Sequence, residues 1–97
     1  MVALNSPTLK FSLGRVLATP AALAAIEAGG QTPQMFLRRH ASGDWGQLSA
    51  EDAQANEDGL ASGARLLSCY QTTNGVRIWI ITEADRSATT LLLPKEY

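Results

Sequence analysis

The stretch "ARLLSCYQTTNGVRIWIIT", residues 64–82, decides how this chain folds. Apolar and polar residues alternate on both sides of Asn74-Gly75, and a period of two is the signature of a strand. Asn-Gly is the strongest short hairpin signal, because a two-residue type I′ turn needs positive φ at both central positions. With Asn74-Gly75 as that loop, Thr73 is expected to face Val76, Gln71 to face Ile78, Cys69 to face Ile80 and Leu67 to face Thr82. The alternate set then pairs Thr72 with Arg77, Tyr70 with Trp79, Ser68 with Ile81 and Leu66 with Glu83. The first set reads as core. The second reads as an amphipathic face with an aromatic pair, Tyr70–Trp79, at its middle.

Working outward, "EADRS" (83–87) reads as a turn and "ATTLLLP" (88–94) as a further strand ended by Pro94. Upstream lie three helix patterns. In "TPAALAAIEAGG" (19–30), Thr19 caps, Pro20 takes the first helical position and Gly29 closes the end. In "TPQMFLRRH" (32–40) the device recurs with Thr32 and Pro33, and Met35, Phe36 and the stem of Arg39 are expected towards the core. In "LSAEDAQANEDGLASG" (48–63), Ser49 caps, Glu51 and Asp52 favour the positive end of the dipole and Gly63 stops the helix. Its inward stripe of Leu48, Ala50 or Ala53, Leu60 and Ala61 is thin, which predicts a surface helix with one narrow buried side. "KFSLGRVLA" (10–18) suits a strand, and residues 1–9 read as a loose leader. The expected fold is α+β: an N-terminal strand, three short helices and a three-stranded antiparallel C-terminal meander, in one domain over 10–97 with a mainly antiparallel sheet.

Composition narrows the function classes. The chain has 97 residues, 45% hydrophobic and 18% charged, with a formal net charge of −1, an ordinary globular balance. That charge does not favour generic nucleic-acid binding, though a local basic patch is compatible with it. A lone cysteine, Cys69, allows neither an internal disulfide nor a cysteine-rich zinc site. The apolar runs are far shorter than the roughly 20 residues that cross a bilayer. The N-terminus lacks signal-peptide character, so a cytoplasmic location without membrane partner is expected.

"RRHASGDWG" (38–46) looks most like chemistry, with the single histidine, His40, beside Asp44 and Trp45. The plainer reading is a helix end and a turn: the cations of the last turn complement the dipole, and Trp45 folds back as an apolar plug. The sharper reading joins His40 to Glu83 and Arg86 as a metal-independent ribonuclease of barnase-like or RelE-like layout. His40 and Glu83 would move protons, Arg86 would stabilise the phosphorane, and Tyr70 and Trp79 would stack a base. His40 and Asp44 fall short of a zinc ligand set, and no phosphate-cradling glycine loop is present, so neither metal nor cofactor is expected.

"RRHASGDWG", "LSAEDAQAN" and the run from Gly63 to Tyr97, above all "WIITEADRSATTLLLPKEY", resemble a family of short plasmid-related proteins carried on bacterial plasmids and integrated mobile elements. The resemblance covers about residues 35–97. It implies a bacterial, mobile-DNA setting and no established activity. Members usually carry an acidic residue after GDWG, where this chain has Gln47. A label sometimes used for them, methyltransferase subunit of a restriction system, does not suit this chain, which has no methyl-donor glycine loop and no NPPY-like motif. The favoured expectation is a small non-enzymatic interaction module acting on a protein partner or as a homodimer. Its candidate face is Trp45, Tyr70, Arg77, Trp79 and Ile81. The alternatives are the ribonuclease, and nucleic-acid binding without catalysis through Arg38, Arg39 and Arg86.

Overall fold

The computed structural model describes residues 9–97. Nearly all of the expected leader, residues 1–9, lies outside them. The elements run β1 (Arg15–Ala18), α1 (Pro20–Ala28), α2 (Pro33–Ala41), α3 (Ala50–Ser62), β2 (Leu66–Gln71), β3 (Arg77–Thr82) and β4 (Ala88–Leu92), followed by a 3₁₀ turn over Pro94–Glu96. The caps form as the sequence leads one to expect. The Thr19 hydroxyl accepts from the Ala22 N–H, the Ser49 hydroxyl accepts from the Asp52 N–H, and Gly63 ends α3 at φ 79°. Thr32 occupies the cap position of α2 but makes no side-chain capping bond.

The sheet order is β1-β4-β3-β2. β2–β3 and β3–β4 are antiparallel, as the meander requires, but β1 runs parallel to β4. The expected mainly antiparallel sheet is therefore mixed. Three helices intervene between β1 and the meander, and a connection of that length allows parallel entry beside a distant strand. β1 is also shorter than expected, with residues 11–14 irregular.

The hairpin register differs from expectation by one residue. Leu67 pairs with Ile81, Cys69 with Trp79, Tyr70 with Ile78 and Gln71 with Arg77. The connection has three residues, Thr73–Gly75, with the Thr72 N–H donating to the Val76 carbonyl and the Gly75 N–H to the Thr72 carbonyl. Gly75 alone of the three has positive φ, 83°, which suits a β-turn followed by a left-handed glycine rather than a type I′ turn. The cause is tertiary. The loop docks on the C-terminal end of α1, where the Thr73 hydroxyl donates to the Gly29 carbonyl and the Asn74 amide donates to the Ala28 carbonyl. Those carbonyls have no helical partner of their own.

A shift of one residue sends every side chain of one strand to the other face. Tyr70 and Trp79 consequently lie on opposite faces of the sheet, and the expected aromatic pair does not exist. One face carries Tyr70, Ile78, Ile80 and Leu91, packed against Ala22, Ile26 and Phe36 of the helices. Phe36 is buried as expected, whereas Met35 is 49% exposed. α3 buries Asn56 and Gly59, with Ala53 and Leu60 half-buried and Ala61 exposed. The Asn56 amide donates to the Leu67 carbonyl and its oxygen accepts from the Leu67 N–H, so one side chain substitutes for a neighbouring strand at the β2 edge. Trp45–Gln47 covers the same edge further along: the Cys69 N–H donates to the Trp45 carbonyl and the Gln47 N–H to the Cys69 carbonyl. The approach there is so close that a Cβ on Gly46 would lie 2.1 Å from the Cys69 carbonyl oxygen.

Candidate functional site

His40 stands in the last turn of α2 with no exposed surface. Its Nδ1 lies 2.5 Å from the Ser68 hydroxyl and its Nε2 lies 2.8 Å from the Thr82 hydroxyl. Thr82 meets the Thr89 hydroxyl at 2.7 Å, and Thr89 donates to the Leu13 carbonyl at 2.7 Å. Those distances fix the direction of the chain. A carbonyl only accepts, so the Thr89 proton is committed to Leu13 and Thr82 must donate to Thr89. Thr82 can then only accept from His40, which puts the ring proton on Nε2. Ser68 donates to the bare Nδ1. His40 is a neutral imidazole with both nitrogens satisfied.

The walls explain why it stays neutral. The Phe11 and Trp45 rings meet His40 edge-on at centroid distances of 5.1 and 5.8 Å. Burial among them, with a smaller contribution from the Arg86 charge, lowers the His40 pKa to about 4. The expectation of a helix end followed by a turn describes the backbone of this segment, but an imidazolium complementing the dipole does not describe the histidine. Trp45 is the expected plug, 6% exposed, and its indole N–H donates to the Glu57 carboxylate at 2.7 Å.

The other residues singled out from the sequence fall into separate places. The Arg86 guanidinium donates to the carbonyls of Ala64, Glu83, Ala84 and Gly59, closing the end of α3 onto the 83–87 turn. Arg86 itself takes φ 61°. Its guanidinium lies over the Phe11 ring, 5.7 Å from the centroid, so Phe11 touches both Arg86 and His40. Glu83 is exposed, and no side-chain hydrogen bond links His40 to Glu83 or Arg86 among the described residues. Arg39 pairs with Asp44 at 2.8 Å and lies over the Tyr70 ring. That ion pair raises the Arg39 pKa and lowers that of Asp44. The Tyr70 hydroxyl donates to the Asp44 carbonyl, and burial raises its pKa. Arg39 is held by Asp44 and Arg86 by backbone carbonyls, so two of the three arginines expected to bind nucleic acid are engaged within the fold. Among the described residues no group of three metal-ligating side chains occurs, and no helix is long and apolar enough to cross a membrane.

The proposed interaction face thus divides. Trp45 and Tyr70 are sealed on the helix side, while Arg77, Trp79 and Ile81 belong to the other, where Arg77 is exposed, Trp79 half-buried and Ile81 buried. On that helix-free face the register aligns Cys69, Trp79 and Leu92 in one row and Leu67, Ile81, Thr90 and Leu17 in the next. Trp79 is half-buried, Leu17 is 41% exposed, and Tyr97 packs edge-on against Trp79 at 5.7 Å while remaining 65% exposed. Arg65 lies over the Tyr97 ring and donates to its hydroxyl. Tyr97 and Arg65 were not among the residues the sequence pointed to. Their partners lie 18 and 32 positions away, and no local pattern announces such contacts.

Comparison of this chain with protein-family models, with curated proteins and with solved structures finds no match.

Proposed function

We propose that this protein is a non-enzymatic interaction module that works through the helix-free face of its sheet, around Trp79. The observation that carries this reading is the division of residues between the faces. The single histidine, His40, is spent on internal hydrogen bonds beneath aromatic rings and has no exposed surface through which a substrate could reach it. The opposite face keeps the Trp79–Tyr97 aromatic pair and the exposed Leu17 at its surface, and exposed apolar groups of that kind mark contact sites. The bacterial cytoplasm and a mobile-DNA setting belong to the same proposal, on the strength of the sequence resemblance alone.

Acrylamide quenching of single-tryptophan variants tests it. With Trp45→Phe, the remaining Trp79 is expected to be readily quenched; with Trp79→Phe, the remaining Trp45 is expected to be shielded. Arg77→Glu and Tyr97→Ala, both at exposed positions, are expected to change stability by less than about 0.5 kcal/mol. A shielded Trp79, or unfolding caused by either exposed substitution, would make this face a structural one and overturn the reading.

A further inference from the structure

Resting on that reading of the helix-free face, we infer that its partner is a single strand of nucleic acid, held by base stacking on Trp79 and Tyr97 and by phosphate contacts to the surrounding cations. The pairing of β1 with β4 puts Arg15 on the same face as Leu17 and Thr90, and the pairing of β2 with β3 puts Arg77 beside Trp79. Arg65 reaches the face through its contact with Tyr97. Lys95 lines a shallow groove together with Arg77. Four of the eight basic residues therefore lie on or at the edge of the face that carries two aromatic rings, Arg65 and Arg77 beside the rings and Arg15 at the other end of β4, in a chain whose net charge is −1.

The carboxylates lie mostly elsewhere. Four of the nine belong to α3, at Glu51, Asp52, Glu57 and Asp58. Of the two near the face, Glu96 is engaged by the Thr19 hydroxyl and the Leu93 N–H. Glu83 stands just beyond the end of β3, opposite Ala88, in the row that also holds Arg15, so it offsets part of the charge at that end of the face. The face is locally cationic although the protein is not, and overall charge is a poor guide to such a patch.

Charge complementarity selects a polyanion, and the aromatic pair selects one whose flat rings are free to stack. A duplex hides its base faces, whereas a single strand presents them. Among the described residues the buried polar side chains His40, Ser68, Thr82 and Thr89 are bonded to one another on the opposite face, so RNA and DNA strands are expected to bind alike and with little sequence preference.

The test is fluorescence anisotropy with a labelled mixed-sequence oligonucleotide of about 12 nucleotides, as single-stranded RNA, single-stranded DNA and duplex, a length within the range such sites cover. Micromolar binding of both single strands is expected, with the duplex at least about tenfold weaker because its bases are unavailable for stacking. Raising salt from about 50 to about 200 mM is expected to weaken binding roughly 50-fold, as four phosphate contacts on a single strand imply. Arg77→Glu and Tyr97→Ala, checked by circular dichroism for an intact fold, are each expected to weaken binding about tenfold, and Arg38→Ala on α2 by less than twofold.

Absence of binding at low salt, equal binding of duplex, or indifference to Arg77→Glu and Tyr97→Ala would each overturn the inference. Light scattering over a range of concentrations separates that failure from failure of the broader reading. Self-association abolished by Arg77→Glu, without nucleic-acid binding, would overturn the nucleic-acid partner and leave the face an interaction surface. A strict monomer with a shielded Trp79 would remove both.

Discussion

The two faces of the sheet differ in what their less expected residues do: one seals a polar chain within an apolar core, the other leaves aromatic rings at the surface. The helix-covered face contains His40, Ser68, Thr82 and Thr89, each with no exposed surface, joined in one donor-to-acceptor chain that ends on the Leu13 carbonyl. The helix-free face carries the buried Ile81 and Leu92 beside a half-buried Trp79, on which Tyr97 packs edge-on. Neutral polar groups are acceptable in a core when every member is satisfied. Among the described residues no buried side-chain nitrogen or oxygen lacks a partner. A histidine, a serine and threonines brought together by the fold are therefore no sign of catalysis by themselves. Whether a substrate can reach them decides the matter.

The comparison is broken most forcefully by removing the centre of the sealed chain. His40→Ala leaves the Ser68 and Thr82 hydroxyls unpaired beside a cavity, and should destabilise the fold by about 3 kcal/mol or more in urea denaturation. An unchanged midpoint would mean that the chain is not what holds that face together.

Acid probes the same group more gently. The pKa of His40 is lowered in the folded state from 6.5 to about 4, so between those values the unfolded chain binds the additional proton. Stability is then full above about pH 6.5 and falls as pH drops towards 4, by about 3 kcal/mol in total. Asp44, Asp85 and Glu96, whose pKa values are also lowered, lose their contributions at more acid pH. In His40→Gln the decline between pH 6.5 and about 4.5 should flatten while the more acid one persists. Denaturation midpoints across that range would show it.

Smaller effects come from the edge and the loop. Asn56→Ala leaves the Leu67 N–H and carbonyl at the β2 edge without their side-chain partner and is expected to cost about 2 kcal/mol by urea denaturation. Amide exchange at Leu67 should accelerate with it. Gly75→Ala places a Cβ at positive φ and should cost about 1 kcal/mol, with the loop still in place. The exposed Arg77→Glu should fall below both.

Much of the local structure was legible because it is written in neighbouring residues. Thr19-Pro20, Ser49 and Gly63 mark helix ends through contacts within one turn, and the strands of the meander show their period directly. The narrow buried side of α3 was also readable, although Asn56 and Gly59 occupy it instead of the alanines. Three features were not legible, and each depends on distant partners. The parallel placement of β1 is set by pairing with a strand more than 70 residues later. The partners of His40, 28 and 42 positions away, gave the RRHASGDWG segment no visible role beyond a helix end. The hairpin register turned on Ala28 and Gly29, whose carbonyls draw Thr73 and Asn74 out of the turn that Asn-Gly prefers. A one-residue change there sufficed to part Tyr70 from Trp79 and, with them, to redraw the candidate face.

That register is what every statement about the two faces depends on, and cross-strand nuclear Overhauser contacts read it directly. Contacts of Cys69 with Trp79 and of Leu67 with Ile81 as directly opposed residues are the predicted pattern. Cys69 opposed to Ile80 and Leu67 opposed to Thr82 would return Tyr70 and Trp79 to one face and contradict the account.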